Sequence, residues 1–286
     1  MREVLLSVAP VAPVPHPIIP DEIAADVCAC HEAGAAMVHL HVRDAQGALT
    51  ADPQLLRETL RLIRSRCDII IEVSTGGVSD LTIRERCVPC DMALVEANSL
   101  NVGSVNLGEA VYCNPIGDVR YCVQEILRHH KFPEIEVFEL GMIHTVHELV
   151  QEFPSFPKPL LFALVFGHPG ELPATRPALH HMLDYLRETF GEQDEAPERK
   201  EILWGYTQAH REDWEMMRYA LSLGADSLRV GFEDSDISET SVHAQTNEPV
   251  VAQAAALIRE SGAVPMTSAR VRELLGIPAL RGHADA

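Results

Sequence analysis

Between Ala36 and Asp44 the chain reads AMVHLHVRD, an apolar run with imidazoles at His39 and His41 and a guanidinium at Arg43. Successive side chains of a β-strand point to opposite faces. His39, His41 and Arg43 therefore share one face, and Val38, Leu40 and Val42 the other. Three basic groups in a row call for an anion, a metal ion or water. A wet-faced edge strand or hydrogen-bonded core histidines would use the same residues. His-x-His at a strand end also supplies two of the three protein ligands of a catalytic zinc, which keeps one position open.

A third ligand is available in RVGFED, Arg229 to Asp234. Glu233 is the best candidate for it, giving two histidines and a glutamate. Asp234 beside it would turn toward the same site as a general base, with Arg229 placed to orient it and hold it ionised. A solvated loop carboxylate at Glu233, or a plain buried ion pair from Arg229 to Glu233 or Glu136, is the structural alternative. STGG, Ser74 to Gly77, offers a hydroxyl and two glycines whose backbone can approach a ligand closely. Ser74 with free N–H groups suits a carboxylate or phosphate, though an ordinary turn uses the same residues. Ser99 and Asn101 are further neutral donors. His144 and His147 read as helix-surface groups, and the pairs His129–His130 and His180–His181 need no role at the site.

These residues have to be positioned by something, and the chain alternates short β-branched runs with helical periodicity from end to end. The expected strands are 3–9, 36–42, 68–74, 91–97, 134–140, 159–167, 201–208 and 226–232. Amphipathic helices fit between them, the first opening at Pro20 and Asp21 and stopping at Gly34. Eight strands, each followed by a helix, is the count of a (β/α)8 TIM barrel, here expected as one domain over residues 1–286. A doubly wound sheet would need fewer strands and usually a Gly-rich first turn. Catalytic groups of a barrel lie at the C-terminal ends of its strands. His39, His41 and Arg43, STGG, the 98–106 loop, Glu136, Glu139, the GHPG turn and RVGFED all fall at that end. The polar stretch 191–200 is expected to be a loop within the barrel.

Composition narrows the class of partner. The formal net charge is −19 over 286 residues. No basic surplus exists to displace counterions, which argues against nucleic acid or an anionic membrane. Prolines at 10, 13, 15, 17 and 20 interrupt the apolar N-terminus, and no later stretch is long enough to span a bilayer, so a cytoplasmic protein is expected. Seven cysteines, an odd number in a chain of this size, read as reduced thiols. CVPC, Cys87 to Cys90, has no second pair and is expected to be structural.

HLHVRD, STGG, NSLNVGSVN, PEIEVFELG and RVGFED, in this order and spacing, resemble the β-keto acid cleavage enzyme family over nearly the whole chain. HLHVRD and RVGFED are the most specific parts of the resemblance. It implies a TIM barrel, a zinc ion on His39, His41 and Glu233, and a homo-oligomer, usually a tetramer, with a dimer the other expectation. It implies a reaction that takes a β-keto acid and acetyl-CoA to acetoacetate and a new acyl-CoA. Asp234, Arg229 and Glu136 are the catalytic positions so implied. Ser74, with Thr75 and Gly76 of the same turn, Ser99 and Asn101 are expected to bind substrate.

The resemblance weakens in one place. The family member that acts on 3-keto-5-aminohexanoate has a glutamate in its first loop, suited to the substrate's amino group. Here that loop is PVAPVPHPIIP, with no acid before Asp21 and with His16 as its one group that ionises near neutrality. A neutral or anionic β-keto acid is therefore expected, with His16 a contact for its distal end. The segment WGYTQAHRED also departs from the family's usual Gly-rich turn, so no CoA contacts carry over. Two other readings compete. A zinc hydrolase of the amidohydrolase type would need later histidine ligands, for which only His168 is available. A non-catalytic metal-binding barrel would show no proton exchange on any keto acid.

Overall fold

The computed structural model describes residues 1–14, 16–191, 200–238 and 243–278. Eight parallel strands form the barrel: β1 (Arg2–Val8), β2 (Met37–Leu40), β3 (Ile70–Ser74), β4 (Ala97–Asn101), β7 (Phe132–Val137), β8 (Leu160–Phe166), β9 (Ile202–Gln208) and β10 (Ser227–Val230). Each pairs with the next, and β10 pairs back onto β1 from Leu5↔Ser227 to Val8↔Val230, so the sheet closes. The fold is a TIM barrel. The principal outer helices are α1 (Pro20–Ala33), α2 (Gln54–Arg66), α4 (Ile116–Arg128), α5 (Leu140–Glu152), α6 (Arg176–Phe190), α7 (Glu215–Ser222) and α8 (Asn247–Glu260). A short helix α3 (Ile83–Arg86) follows β3. The expected stretch 191–200 lies almost wholly outside the described residues.

Alternation along the strands sorts the side chains. Val4, Leu6, Val8, Val38, Leu40, Ile71 and Val73 pack outward into the helix layer. Leu5, Met37, Ile70, Ala97, Phe132, Leu161 and Leu203 belong to a separate inner cluster at the N-terminal end of the barrel. A short strand, β11 (Ala263–Pro265), pairs with Arg2–Val4 and leads into α9 (Ser268–Leu275). Val271 and Leu275 of α9 join the inner cluster, so this helix forms the floor of the barrel. Full burial of one such side chain contributes about 1.5–3 kcal/mol. Thr267 caps α9 by accepting from Arg270 N–H, and Gly276 ends it in the left-handed conformation.

Above that floor the interior turns polar. The inward positions continue as Ser7, His39, Glu72, Ser99, Glu134 and Ser227, all buried, and then Ser74, Asn101, Glu136 and Arg229. Fourth-strand placement is where expectation and structure part. Residues 91–97 were the expected strand, whereas β4 begins at Ala97, and a 3-10 turn (Val88–Asp91) holds Cys90 inside. Ser99 and Asn101 are thus strand residues facing the interior, not loop residues beyond it. A hairpin of β5 (Val105–Leu107) and β6 (Ala110–Tyr112) follows. Similarly, β7 ends at Val137, and Glu139 stands at the N-terminus of α5 instead of within a strand.

Candidate active site

Parallel register sets the first contact. His39 stands opposite Glu72 on β3, and its Nδ1 lies 3.2 Å from a Glu72 carboxylate oxygen. A proton on Nδ1 satisfies that contact and leaves Nε2 free to ligate. His39 Nε2 is 3.3 Å from His41 Nε2 and 3.6 Å from Glu233 Oε1, and His41 Nε2 is 3.3 Å from Glu233 Oε2. Four-coordinate zinc with nitrogen and oxygen bonds of about 2.0–2.1 Å has ligand atoms about 3.3–3.4 Å apart. The donor set therefore fits zinc in both chemistry and spacing.

The turn after β10 brings Glu233 over β1. Gly231 has φ +131°, and a Cβ there would lie 2.4 Å from the carbonyl oxygen of Ala9, so only glycine fits. Glu233 N–H donates to that same Ala9 carbonyl. Arg229, 7% exposed, gathers three carboxylates: Asp234 through Nε at 3.0 Å and Nη2 at 2.7 Å, Glu136 at 3.2 Å and Glu233 at 3.2 Å. The two-point contact fixes the plane of the Asp234 carboxylate.

Burial works against the charged forms of Glu233, Arg229 and His41, and neighbouring charges oppose it with different outcomes. For Glu233, His41, His39 and Arg229 outweigh burial and hold its carboxyl well below the usual range. For Arg229, Asp234 and Glu233 outweigh burial and hold the guanidinium above its usual value. Burial prevails at His41, whose imidazole is pushed down despite Glu233, which favours the neutral ligand form. Burial and the charge of Glu136 push Glu72 up to about 8, and burial with Glu72 raises Glu134 well above the carboxylate range.

The site opens into a cavity of about 450 Å³, within the range of small-molecule pockets. His39, His41, Glu233, Asp234, Arg229, Glu136 and Ser74 all line it. Ser99 lies behind Ser74, with their hydroxyls 3.1 Å apart, and Asn101 donates to Glu136 at 2.8 Å. Thr75 points away from the cavity: its hydroxyl donates to the Ser99 carbonyl and accepts from Cys122. Gly76 donates its N–H to Ser74 Oγ, and a Cβ there would lie 1.3 Å from the hydroxyl oxygen of Tyr112. Glycine is needed so that Tyr112, carried in by β6, can reach the wall beside Ser74.

His16 is not among the lining residues; its Nδ1 faces the Val14 carbonyl at 2.7 Å, and Pro13 represents the first loop in the cavity wall. His168 pairs with Glu171 and meets His210 edge-on, and it joins no metal-capable group among the described residues. His144 and His147 stack on the surface of α5.

Three participants escaped sequence reasoning. Glu72 and Glu134 sit in strands whose apolar runs hide the inward alternation. Tyr112 arrives on the unexpected hairpin. Arg43 stood in the sequence as the third member of the His-x-His row, and it too lines the cavity.

Comparison with known proteins agrees with this geometry. A family model described as beta-keto acid cleavage enzyme matches residues 11–277. The chain is 29% identical over 268 residues to a 3-keto-5-aminohexanoate cleavage enzyme of Fusobacterium nucleatum subsp. nucleatum, covering 92% of each chain. It is 34% identical over 269 residues to a 3-oxoadipate:acetyl-CoA acetyltransferase of Cupriavidus necator, covering 92% of this chain and 89% of the relative. Among solved structures, ObcA in a binary complex with oxaloacetate superposes with a TM-score of 0.73 at 20% identity, over 91% of this chain and 67% of that one, a likeness of fold. With its motifs on the barrel's C-terminal rim and a family match across nearly all its length, the chain belongs to the β-keto acid cleavage enzyme family.

Proposed function

We propose that the protein is a zinc-dependent transferase that converts a β-keto acid and acetyl-CoA into acetoacetate and a new acyl-CoA. The observation that carries this reading is the Arg229–Asp234 pair standing in one cavity with the convergent donors of His39, His41 and Glu233. Zinc on those donors would polarise a ketone oxygen and stabilise the charge of an enolate.

The chain's own residues account for the remaining work. Ser74, backed by Ser99 and the Gly76 N–H, receives the substrate carboxylate at the cavity wall. Asp234 takes a proton from the carbon between ketone and carboxylate, while Arg229 keeps its carboxylate aimed. The resulting carbanion forms a carbon–carbon bond to the thioester carbonyl of acetyl-CoA. CoA sulfur then passes to the substrate's original ketone carbon, and that carbon's bond to C2 breaks. The electron pair left on C2 takes the proton back, giving acetoacetate and the acyl-CoA with all atoms retained. Glu136, tied to Arg229 and Asn101, positions the arginine from its far side. A second cavity of about 400 Å³ shares His168, Ala209 and His210 with the first and offers the thioester an approach.

The first loop presents no acid, and an ammonium group left unpaired there would be costly. A neutral or anionic substrate follows. Assembly as a homo-oligomer and residence in the cytoplasm belong to the same reading; among the described residues, no helix is long and apolar enough to cross a membrane. The test supplies carbon-labelled acetyl-CoA with β-keto acids ending in an amine, an alkyl group or a carboxylate. Label should appear in acetoacetate with the alkyl or carboxylate substrate and hardly at all with the amine. No labelled acetoacetate from any of the three would overturn the reaction, and preference for the amine would overturn the reading of the loop.

A further inference from the structure

The proposed transfer breaks one carbon–sulfur bond and makes another, yet Asp234 serves only the carbon acid, and the sulfur so far has no group of its own. The wall between the two cavities supplies one. His168, Ala209 and His210 line both. They stand where a thioester lying along the second cavity meets a keto acid in the first.

His168 is built as half of a dyad. Its Nδ1 lies 2.9 Å from Glu171 Oε1, and its backbone N–H donates to that same oxygen at 2.8 Å. An ordinary pair three residues apart on a surface leaves its carboxylate in water. Here the Glu171 side chain is fully buried, and its second oxygen has no partner. Among the described residues His168 is the one basic group within ion-pair distance of it. A buried carboxylate without a counter-charge is costly, so the imidazole carries the balancing proton. Nδ1 is committed to Glu171. Nε2 makes no hydrogen bond among the described residues, and the side chain, 25% exposed, is open to the cavities it lines.

His210 steadies the ring from the other side. It meets His168 edge-on, with ring centroids 5.8 Å apart, and its N–H donates to the Asp234 carbonyl at 2.8 Å. Its φ of +51° is a left-handed conformation that side chains rarely adopt and that gathers at functional sites.

We propose that the Glu171–His168 dyad handles the proton of the CoA sulfur, with His168 Nε2 acting first as general acid and then as general base. The inference rests on the transferase reading and adds a catalytic residue to it. Once C2 has joined the acetyl carbonyl carbon, collapse of that adduct breaks the carbon–sulfur bond. The electron pair goes to sulfur, which takes the Nε2 proton. The thiol returns this proton as sulfur bonds to the original ketone carbon and that carbon's π electrons pass to its oxygen. The dyad ends as it began. Glu171 keeps the other proton on Nδ1 throughout and stabilises the imidazolium.

The experiment compares acetyl-CoA with its selenium analogue, acetyl-seleno-CoA, using the fastest of the three keto acids of the labelling assay. His168→Gln should slow transfer to acetoacetate about 10²–10⁴-fold with acetyl-CoA. With the analogue the loss should stay below about tenfold, because a selenol is the stronger acid and departs without a proton. Exchange of the keto acid's C2 protons, which needs no thioester, should stay within about threefold of the parent's. His168→Gln with Glu171→Gln removes both charges together and should show the same pattern in a balanced turn. Equal losses on the two thioesters, or C2 exchange falling in step with transfer, would overturn the role. Transfer at the parent rate in either variant would overturn it too. A parent protein that passes no label to acetoacetate overturns the reaction itself, and this role with it.

Discussion

The barrel holds two buried clusters of arginine and carboxylate, one at each end, and they are built to opposite plans. At the floor, Glu96 accepts from Arg64 at 2.6 Å and from Arg272 of α9 at 2.6 Å, and Asp68 contacts both arginines from the rim. Charges there balance two against two. At the mouth, one arginine serves Glu136, Glu233 and Asp234, leaving two formal negative charges in excess. The floor cluster lies against helix α9 with Asp68 at the surface, and the mouth cluster opens into the cavity. An ion pair that closes on itself holds structure together, whereas one left short of positive charge has capacity for a divalent cation. The same residue types thus carry stability at one end and chemistry at the other, as barrel architecture generally divides them.

Breaking the mouth should leave a folded but inert protein. His39→Ala or His41→Ala is expected to empty the metal site, taking bound zinc from about one per chain to near none, with the circular dichroism spectrum unchanged. Metal content equal to the parent's in both variants would refute the ligand assignment. Asp234→Asn should retain the metal yet slow exchange of the substrate's C2 protons with deuterated water by about 10²–10⁴-fold. Exchange at the parent rate would move the base elsewhere, with Glu136 next in line.

Breaking the floor should do the reverse. Glu96→Gln leaves two buried guanidinium groups with only the exposed Asp68 carboxylate between them, a loss of about 3–5 kcal/mol in urea unfolding, while kcat/KM well below the melting temperature stays within about twofold. An unchanged unfolding midpoint would remove the contrast between the clusters. The smallest effect should come from beneath the mouth. Glu72→Gln is expected to weaken zinc binding by about 10–100-fold, because His39 loses the carboxylate that sets its tautomer and ring angle. Competition with a chromophoric chelator measures it, and parent-like affinity would make Glu72 a packing residue.

Much of this arrangement was legible in the sequence, and the exceptions share a cause. The alternating elements and the mouth motifs are local signals: His39 and His41 two apart, Arg229, Glu233 and Asp234 within one turn. Their convergence follows once eight strands close, because a barrel puts every strand's C-terminal end on one rim. Glu72 and Glu134 were hidden because both faces of a barrel strand are buried, so IIIEV and PEIEV read as ordinary apolar runs. Displacement of the fourth strand has the same origin. Its inward face is Ala97, Ser99 and Asn101, polar enough to resemble a loop, while the apolar residues before it are spent on a turn. His16 stands in the sequence as the first loop's one group that ionises near neutrality, but its Nδ1 turns to the Val14 carbonyl and Pro13 takes the loop's place in the cavity wall. Nothing in the periodicity of α9 says that its apolar face covers the barrel floor.

That floor has a kinetic meaning. With α9 closing one end, both substrates of the proposed reaction come to the donors from the mouth, the thioester along the neighbouring cavity beside His168 and His210. The keto acid, which has to reach the innermost donors, enters before the bulkier thioester covers the mouth, and the acid product leaves only after the acyl-CoA has gone. Sequential kinetics with compulsory order follow from this: acetoacetate should compete directly with the keto acid and not with acetyl-CoA. A random order of addition would instead mean that the keto acid still reaches the donors while the thioester lies along the neighbouring cavity.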